Sequence, residues 1–269
     1  MPIIPVDVSD PRLAPYRNLR DKTQRRSMPI PCDLESLDLF VVEGTWLVER
    51  LVASRFSVGS LLVGESQVDR ACQIAPADVP IYQLPTAAIH ELVGFHFHRG
   101  MLACGFREAA PNLSSLLARS CDMHRLLICP ELRNEENLGS LLRTAAAFGI
   151  DGVLLGPKCP DAFGRRVVRV SMGAALSLPI RQTSDLAKEL EWLATSAEVE
   201  LVAAVLSESC EALCRDTHIA GSWGLLVGRE DDGLSTEWLA HCPRRLTIPL
   251  QPGTDSLNVA VAAGVLMYQ

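Results

Sequence analysis

The chain has 269 residues, a net charge of −7, 48% hydrophobic residues and only 5% aromatics. That length holds one large domain or two modest ones, and the composition points to α/β packing built from Leu, Val and Ala. No apolar run is long enough to span a bilayer, and the first ten residues carry two acids, two prolines and no basic stretch, so no signal peptide is read and a cytoplasmic location is expected.

In chain order, residues 1–28 read as a basic arm with a short helix around Tyr16 to Arg25. Leu39–Gly44 reads as a strand ending in a turn, and Thr45–Ser54 as a helix with Leu47, Val48, Leu51 and Val52 on one face. Strands are expected at Ser60–Val63, Pro80–Leu84 and Gly100–Phe106, with a short helix at Ala87–Val93. These make a small β/α module over residues 29–107. Residues 108–122 read as a linker with a short helix from Asn112 to Ser120. From 123 to 269 strands and helices alternate: strand Leu126–Cys129, helix Leu138–Phe148 ended by Gly149, strand Gly152–Leu155, helix Leu186–Ala197, strands Glu200–Leu206, Trp223–Val227 and Leu246–Pro249, and a closing C-terminal helix. Short apolar strands separated by helices predict a mostly parallel sheet covered on both faces.

Nine cysteines in a cytosolic chain are expected to be mostly free thiols. Cys210, Cys214 and His218 recur at four-residue spacing, as on one flank of a helix. There is no CxxC pair and no fourth ligand, so no metal site is expected. The net charge argues mildly against a nucleic-acid partner, because neutralising phosphates takes Lys and Arg. Locally the balance reverses. Arg12, Arg17, Arg20, Lys22, Arg25 and Arg26 crowd the N-terminal arm, and Lys158, Arg165, Arg166 and Arg169 form a second basic group. These are either ordinary solvated surface or an RNA-backbone footprint. His96, Phe97 and His98, before the strand at Gly100, are either rings that stack on unpaired bases or the filler of a turn.

Three segments carry the candidate chemistry. Asn137-x-Gly139-x-x-x-Arg143 follows a strand and opens a helix, where α/β sheets place ligands. Leu138, Leu141, Leu142, Ala145 and Phe148 form its apolar stripe, and Arg143 points away from it. Gly228-Arg229-Glu230-Asp231-Asp232-Gly233 follows the strand Trp223–Val227, its glycines allowing close backbone approach. Pro249, Pro252 and Gly253 force an irregular loop before the last helix, with Ser256 as its expected N-cap and Asn258 as an amide at the head of an almost wholly apolar run. An amide so placed needs partners. No G-x-G-x-x-G follows a strand, which leaves an ordinary dinucleotide-binding reading unsupported.

Together these segments resemble the motifs of the SpoU (TrmH-type) RNA ribose 2′-O-methyltransferases of the SPOUT superfamily. The resemblance implies an α/β chain with an L30e-like N-terminal RNA-binding domain over 29–107. It also implies a catalytic SPOUT domain over 123–269, whose mostly parallel sheet ends in a trefoil knot. It implies S-adenosylmethionine as methyl donor, held by loops containing Val227, Gly228, Ile248, Leu250, Gly253 and Leu257. Arg143 would be the central catalytic residue, with Asn137, Glu230, Ser256 and Asn258 completing the pocket; on the footprint reading of the basic groups, Arg17, Arg20, Arg25, Arg26, Arg165 and Arg166 contact RNA. It further implies a homodimer through the knotted domain, no membrane partner, and 2′-O-methylation of a ribose. Ribosomal RNA is favoured over tRNA because the chain stops right after the third motif. A catalytically silent RNA-binding protein of ribosome assembly is the reading from another class. The sequence departs from the family at Glu135, often proline there, at Arg229, often asparagine, and at Asp231-Asp232, often Gly-Arg. That acidic pair would bring negative charge close to RNA phosphate.

Overall fold

The computed structural model describes residues 3–20, 38–97, 100–117 and 123–268. Along the chain the strands and helices are β1 (Ile3–Pro5), β2 (Leu39–Glu43), α1 (Thr45–Val52), β3 (Val58–Val63), α2 (Val68–Ile74), β4 (Ile81–Gln83), α3 (Thr86–Val93), β5 (Met101–Phe106), α4 (Leu113–Leu117), β6 (Arg125–Cys129), α5 (Glu135–Ala147), β7 (Gly152–Leu155), α6 (Arg165–Val170), β8 (Ile180–Gln182), α7 (Leu186–Thr195), β9 (Glu200–Ala204), β10 (Glu211–Ala212), β11 (Trp223–Leu226), α8 (Thr236–Ala240), β12 (Arg244–Thr247) and α9 (Val259–Met267). No described helix is long and apolar enough to cross a membrane.

The chain divides into two compact units. The first comprises residues 1–109 together with Phe163–Leu176, and the second comprises 110–162 and 177–269. The first unit holds a mixed five-stranded sheet in the order β1-β4-β3-β5-β2. Residues 3–20 are not a free arm. β1 pairs in parallel with β4, and a six-residue 3-10 helix, Pro11–Tyr16, buries Leu13 and Tyr16 completely. The Tyr16 hydroxyl stays satisfied in that core by donating to the Ser60 carbonyl at 2.9 Å. The remainder of the expected helix at Tyr16–Arg25 lies outside the described residues from 21 onward.

Phe163–Leu176, placed by sequence inside the C-terminal domain, packs in the first unit. Phe163 sits against Phe40 and Phe56 with ring centroids 5.4 and 5.2 Å apart, and Arg165 of α6 pairs with the buried Glu43 at the end of β2. A buried carboxylate without a cation would be strongly unfavourable, so this pair fixes where the excursion docks.

The second unit is built on a seven-stranded sheet in the order β10-β12-β9-β11-β6-β7-β8, with every neighbouring pair parallel. The chain runs outward from β6 through β7 to β8, returns to β9, and then inserts β11 between β9 and β6. Leu126, Ile128, Leu154, Leu201 and Leu226 pack with Leu186, Leu190 and Leu193 of α7 in its core. Burying each leucine contributes about 1.5–3 kcal/mol, which fixes the register of a sheet whose central strands are buried on both faces. The Cys210–His218 segment is not a helix: it contains the two-residue strand β10 and turns, because Glu211 and Ala212 pair with Leu246 and Thr247 of β12.

Candidate active site

Parallel pairing brings three loops to one edge. Leu226 of β11 lies opposite Ile128 of β6 and Ala203 of β9, and Leu246 of β12 lies opposite Ala204 of β9. The segments after β6, β11 and β12, which carry the three sequence motifs, therefore leave the sheet from the same carboxyl edge. β6 and β11 are neighbours where the strand order reverses, the place where open α/β sheets bind ligands.

The helix after β6 starts earlier than its apolar period. Asn134 is the N-cap of α5, its side chain accepting the Glu136 N–H at 2.7 Å, so the helix begins at Glu135 rather than Leu138. Asn137 thus lies in the first turn. Leu138, Leu141, Leu142 and Ala145 are fully buried, which turns Arg143 to solvent. No hydrogen bond or ion pair joins Arg143 to any described residue.

The final helix corrects a second expectation. Its N-cap is Asn258 and not Ser256: the Asn258 Oδ1 accepts the Ala260 N–H at 2.9 Å, while Ser256 is exposed in the preceding loop. The cap orients the amide, because a backbone N–H can only donate to its oxygen. Its Nδ2 then donates to Asn137 Oδ1 at 2.9 Å, and Asn137 Nδ2 donates to Glu230 Oε1 at 2.9 Å. A donor-only backbone group stands at one end and an acceptor-only carboxylate at the other, so both amide orientations are set. The three motifs are one hydrogen-bonded chain.

Glu230 also accepts the backbone N–H groups of Arg133 at 3.4 Å and Asn134 at 3.3 Å, so its carboxylate meets the positive end of α5. The acidic pair beside it is neutralised. Asp231 takes a two-pronged contact from Arg229 at 2.9 and 2.8 Å and a further one from Arg133 at 3.0 Å, and Asp232 takes Arg229 at 2.9 Å. The Arg229 hydrogen bond, helped by Arg133, holds the Asp231 carboxyl down to about 2. Asp231 and Asp232 therefore do not stand as bare negative charge in the loop.

Close backbone approach governs this edge. A Cβ on Gly228 would lie 2.2 Å from the Gly233 carbonyl carbon, where Arg229 and Gly233 exchange backbone hydrogen bonds of 3.0 and 3.1 Å. A Cβ on Gly156, just after β7, would lie 2.0 Å from the Pro130 carbonyl oxygen. Val227 is buried beside Gly228, whereas Ile248, Leu250 and Leu257 are half-buried and Gly253 is exposed with φ 87°. Beneath these loops Cys129 and Cys159 stay protonated: burial pushes Cys129 well above the ordinary thiol range and Cys159 up to about 11. Neither offers a thiolate for covalent catalysis at neutral pH. Next to the relay, α5 and α9 border a shallow groove of about 570 Å³ lined by Thr144, Asn258, Val261, Gly264, Val265 and Tyr268.

The expected RNA-contacting arginines fare unevenly. Arg165 is committed to Glu43 and lies 4.2 Å over the Phe95 ring, and Arg17 donates to the carbonyls of Val8 and Asp10, so both serve the first unit's packing. Arg20 and Arg166 are exposed, and Arg25 and Arg26 lie outside the described residues. Phe97 is buried in the first unit's core and is not a stacking surface, whereas His98 lies outside the described residues.

A parallel α/β unit whose central carboxyl-edge loops are tied by amides, with a solvent-facing arginine on the same helix and the buried Cys129 and Cys159 held protonated, fits a transferase site. Residues 124–268 match the SpoU rRNA Methylase family, and the chain belongs to that methyltransferase family. It is 33% identical over 267 residues to an uncharacterized tRNA/rRNA methyltransferase of Mycobacterium bovis, a match covering 98% of this chain and 89% of that one. It is 27% identical to the 23S rRNA (guanosine-2'-O-)-methyltransferase RlmB of Acinetobacter baylyi over 196 residues, 72% of this chain and 79% of that one. Its fold is similar to that of an AdoMet-bound rRNA methyltransferase from Sinorhizobium meliloti, with a TM-score of 0.78 and 22% identity over 99% of this chain and 96% of that one.

Proposed function

We propose that the protein transfers a methyl group from S-adenosylmethionine to a ribose 2′-hydroxyl of ribosomal RNA. The observation that carries the reading is the Asn258–Asn137–Glu230 chain, which binds the three motifs together while leaving the Arg143 guanidinium without a partner among the described residues. Support for the donor comes from the chemistry of the loops. Ile248, Leu250 and Leu257 offer apolar walls for a nucleoside, and the Val227–Gly228 turn, packed against the Gly233 backbone, offers main-chain groups. The sulfonium donor, when bound, supplies a methyl group already activated for displacement.

The chain's own task is then to position the hydroxyl and stabilise its charge. A guanidinium is a permanent cation in a protein, so Arg143 acts by steadying the developing alkoxide, with the proton leaving to water or phosphate. Asn137 and Glu230 hold the loop geometry, Ser256 and Asn258 complete the pocket floor, and Gly253 belongs to the donor-holding loops. Holding both reactants in line supplies much of the rate.

Asn137 and Arg143 are six positions apart on α5, which puts their side chains about 120° apart around the helix. One subunit therefore points its relay and its arginine in different directions, and a homodimer is the arrangement that faces one subunit's loops with the other's arginine. Val261, Val265 and Tyr268 form a solvent-facing apolar stripe on α9, 53%, 37% and 75% exposed, suited to that interface. The reading includes a C-terminal segment threaded as a trefoil knot, residues 29–107 as the substrate-binding domain and a cytoplasmic location.

Calorimetric titration with S-adenosylmethionine, followed by methyl transfer to ribosomal RNA, tests the proposal. Wild type should bind the donor and transfer the label, and Arg143→Ala should bind the donor comparably while losing at least about a hundredfold in transfer, the scale of one removed oxyanion donor. Binding of RNA with no transfer by wild type would favour the silent assembly protein instead, and transfer to tRNA alone would move the substrate.

A further inference from the structure

We propose that Trp46 and Arg50 of the N-terminal unit form a stacking platform for one unpaired RNA base. The inference rests on the reading of the chain as an RNA-modifying enzyme, and it concerns a surface of the first unit.

Leu47, Val48 and Leu51 turn one face of α1 into the core, which leaves positions 46 and 50, one turn apart, on the outer face. Trp46 is 42% exposed there. A single exposed apolar side chain is unremarkable by itself. This one is held: the Arg50 guanidinium carbon stands 3.9 Å from the indole centroid, and Arg50 Nη1 donates to the Met172 carbonyl at 2.8 Å. The tether fixes the guanidinium over the ring, so the ring loses little further freedom when a ligand stacks on it.

The charge around the ring favours a polyanion. Glu49, the adjacent acid, is engaged by Arg70, and Glu43 is engaged by Arg165. Arg50 has no carboxylate partner among the described residues. An aromatic plane beside an uncompensated guanidinium matches single-stranded RNA, whose bases stack on the ring while a neighbouring phosphate meets the cation. A duplex keeps its bases stacked on one another and offers the ring nothing. Trp46 is the second residue of α1, just beyond the carboxyl end of β2, the edge from which the β2–α1 turn projects.

The test is fluorescence anisotropy of a labelled single-stranded oligoadenylate, and of a blunt RNA duplex of equal length, at low salt. We expect the single strand to bind wild type, Trp46→Leu to weaken it about tenfold, and Trp46→Phe to stay within about threefold of wild type. Arg50→Gln should weaken the single strand about threefold, which keeps the test decisive if Trp46→Leu fails to fold. Duplex binding should be the same in every variant. Wild-type affinity in both Trp46→Leu and Arg50→Gln, an equal loss for strand and duplex, or no single-strand binding by wild type overturns the platform. Those results leave methyl transfer untouched, and absence of transfer in wild type with the strand affinities as expected overturns the enzymatic reading alone.

Discussion

Replacing Asn258 tests the relay most finely, because one side chain performs two separable tasks. Its oxygen caps α9 through Ala260 N–H at 2.9 Å, and its amide nitrogen donates to Asn137 at 2.9 Å. Asn258→Ala removes both, at a cost of about 1 kcal/mol for the cap and about 1 kcal/mol for the side-chain hydrogen bond. Asn258→Asp keeps an oxygen for the cap and adds a negative charge favourable at a helix start, yet it cannot donate to Asn137. We therefore expect Asn258→Asp to recover about half of the stability lost in Asn258→Ala while losing transfer as fully. The coupling between positions 258 and 137 is measurable by a double-mutant cycle, reading urea unfolding of the C-terminal unit for Asn258→Ala, Asn137→Ala and the pair. A coupling of about 1 kcal/mol is expected. Additivity of the two substitutions to within about 0.3 kcal/mol would refute the relay as an energetic unit.

Three further outcomes follow from the same geometry. Gly228→Ala puts a Cβ 2.2 Å from the Gly233 backbone and should cost about 3 kcal/mol in unfolding free energy and abolish donor binding by calorimetry. The Asp231 carboxyl is held at about 2, below its ordinary 3.8, so its contribution to stability is present above the unfolded value and disappears as pH falls from about 4 to about 2. Wild type and Asp231→Asn should accordingly differ in melting temperature at pH 6 and converge near pH 2. Glu43→Gln leaves the Arg165 guanidinium without its carboxylate, and thermal unfolding should show a loss of about 3 kcal/mol in the N-terminal unit.

Periodicity made much of the fold legible. The stripe Leu138, Leu141, Leu142, Ala145 and the apolar strands at 126, 152, 200 and 223 stand close to where their patterns put them. The failures have physical causes. α5 starts at Glu135 because Asn134 supplies the capping oxygen, and a hydrophobic pattern cannot report a cap formed by polar residues upstream of it. The same kind of bond moved the start of α9 from Ser256 to Asn258, since the residue that reaches the Ala260 N–H is the amide itself. The docking of 163–176 with the first unit rests on a pairing 122 positions apart, Glu43 to Arg165, for which no local signal exists. At the site, the spacing of Asn137, Arg143, Glu230 and Asn258 was readable only through resemblance. That two of these form an amide chain ending on Glu230, and that Arg229 and Arg133 cancel Asp231 and Asp232, depended on loops meeting across the sheet. Trp46 drew no notice in the sequence because its helix face was visible, but its tethered neighbour was not.

The central claim is that the Arg143 cation on α5 steadies an emerging ribose oxyanion. Its most direct test is mass spectrometry of nucleosides digested from ribosomal RNA after incubation with the protein and methyl-labelled S-adenosylmethionine. The account predicts label confined to a 2′-O-methylated nucleoside with wild type and nearly absent with Arg143→Ala. Label on a base, or equal ribose labelling by Arg143→Ala, would contradict it.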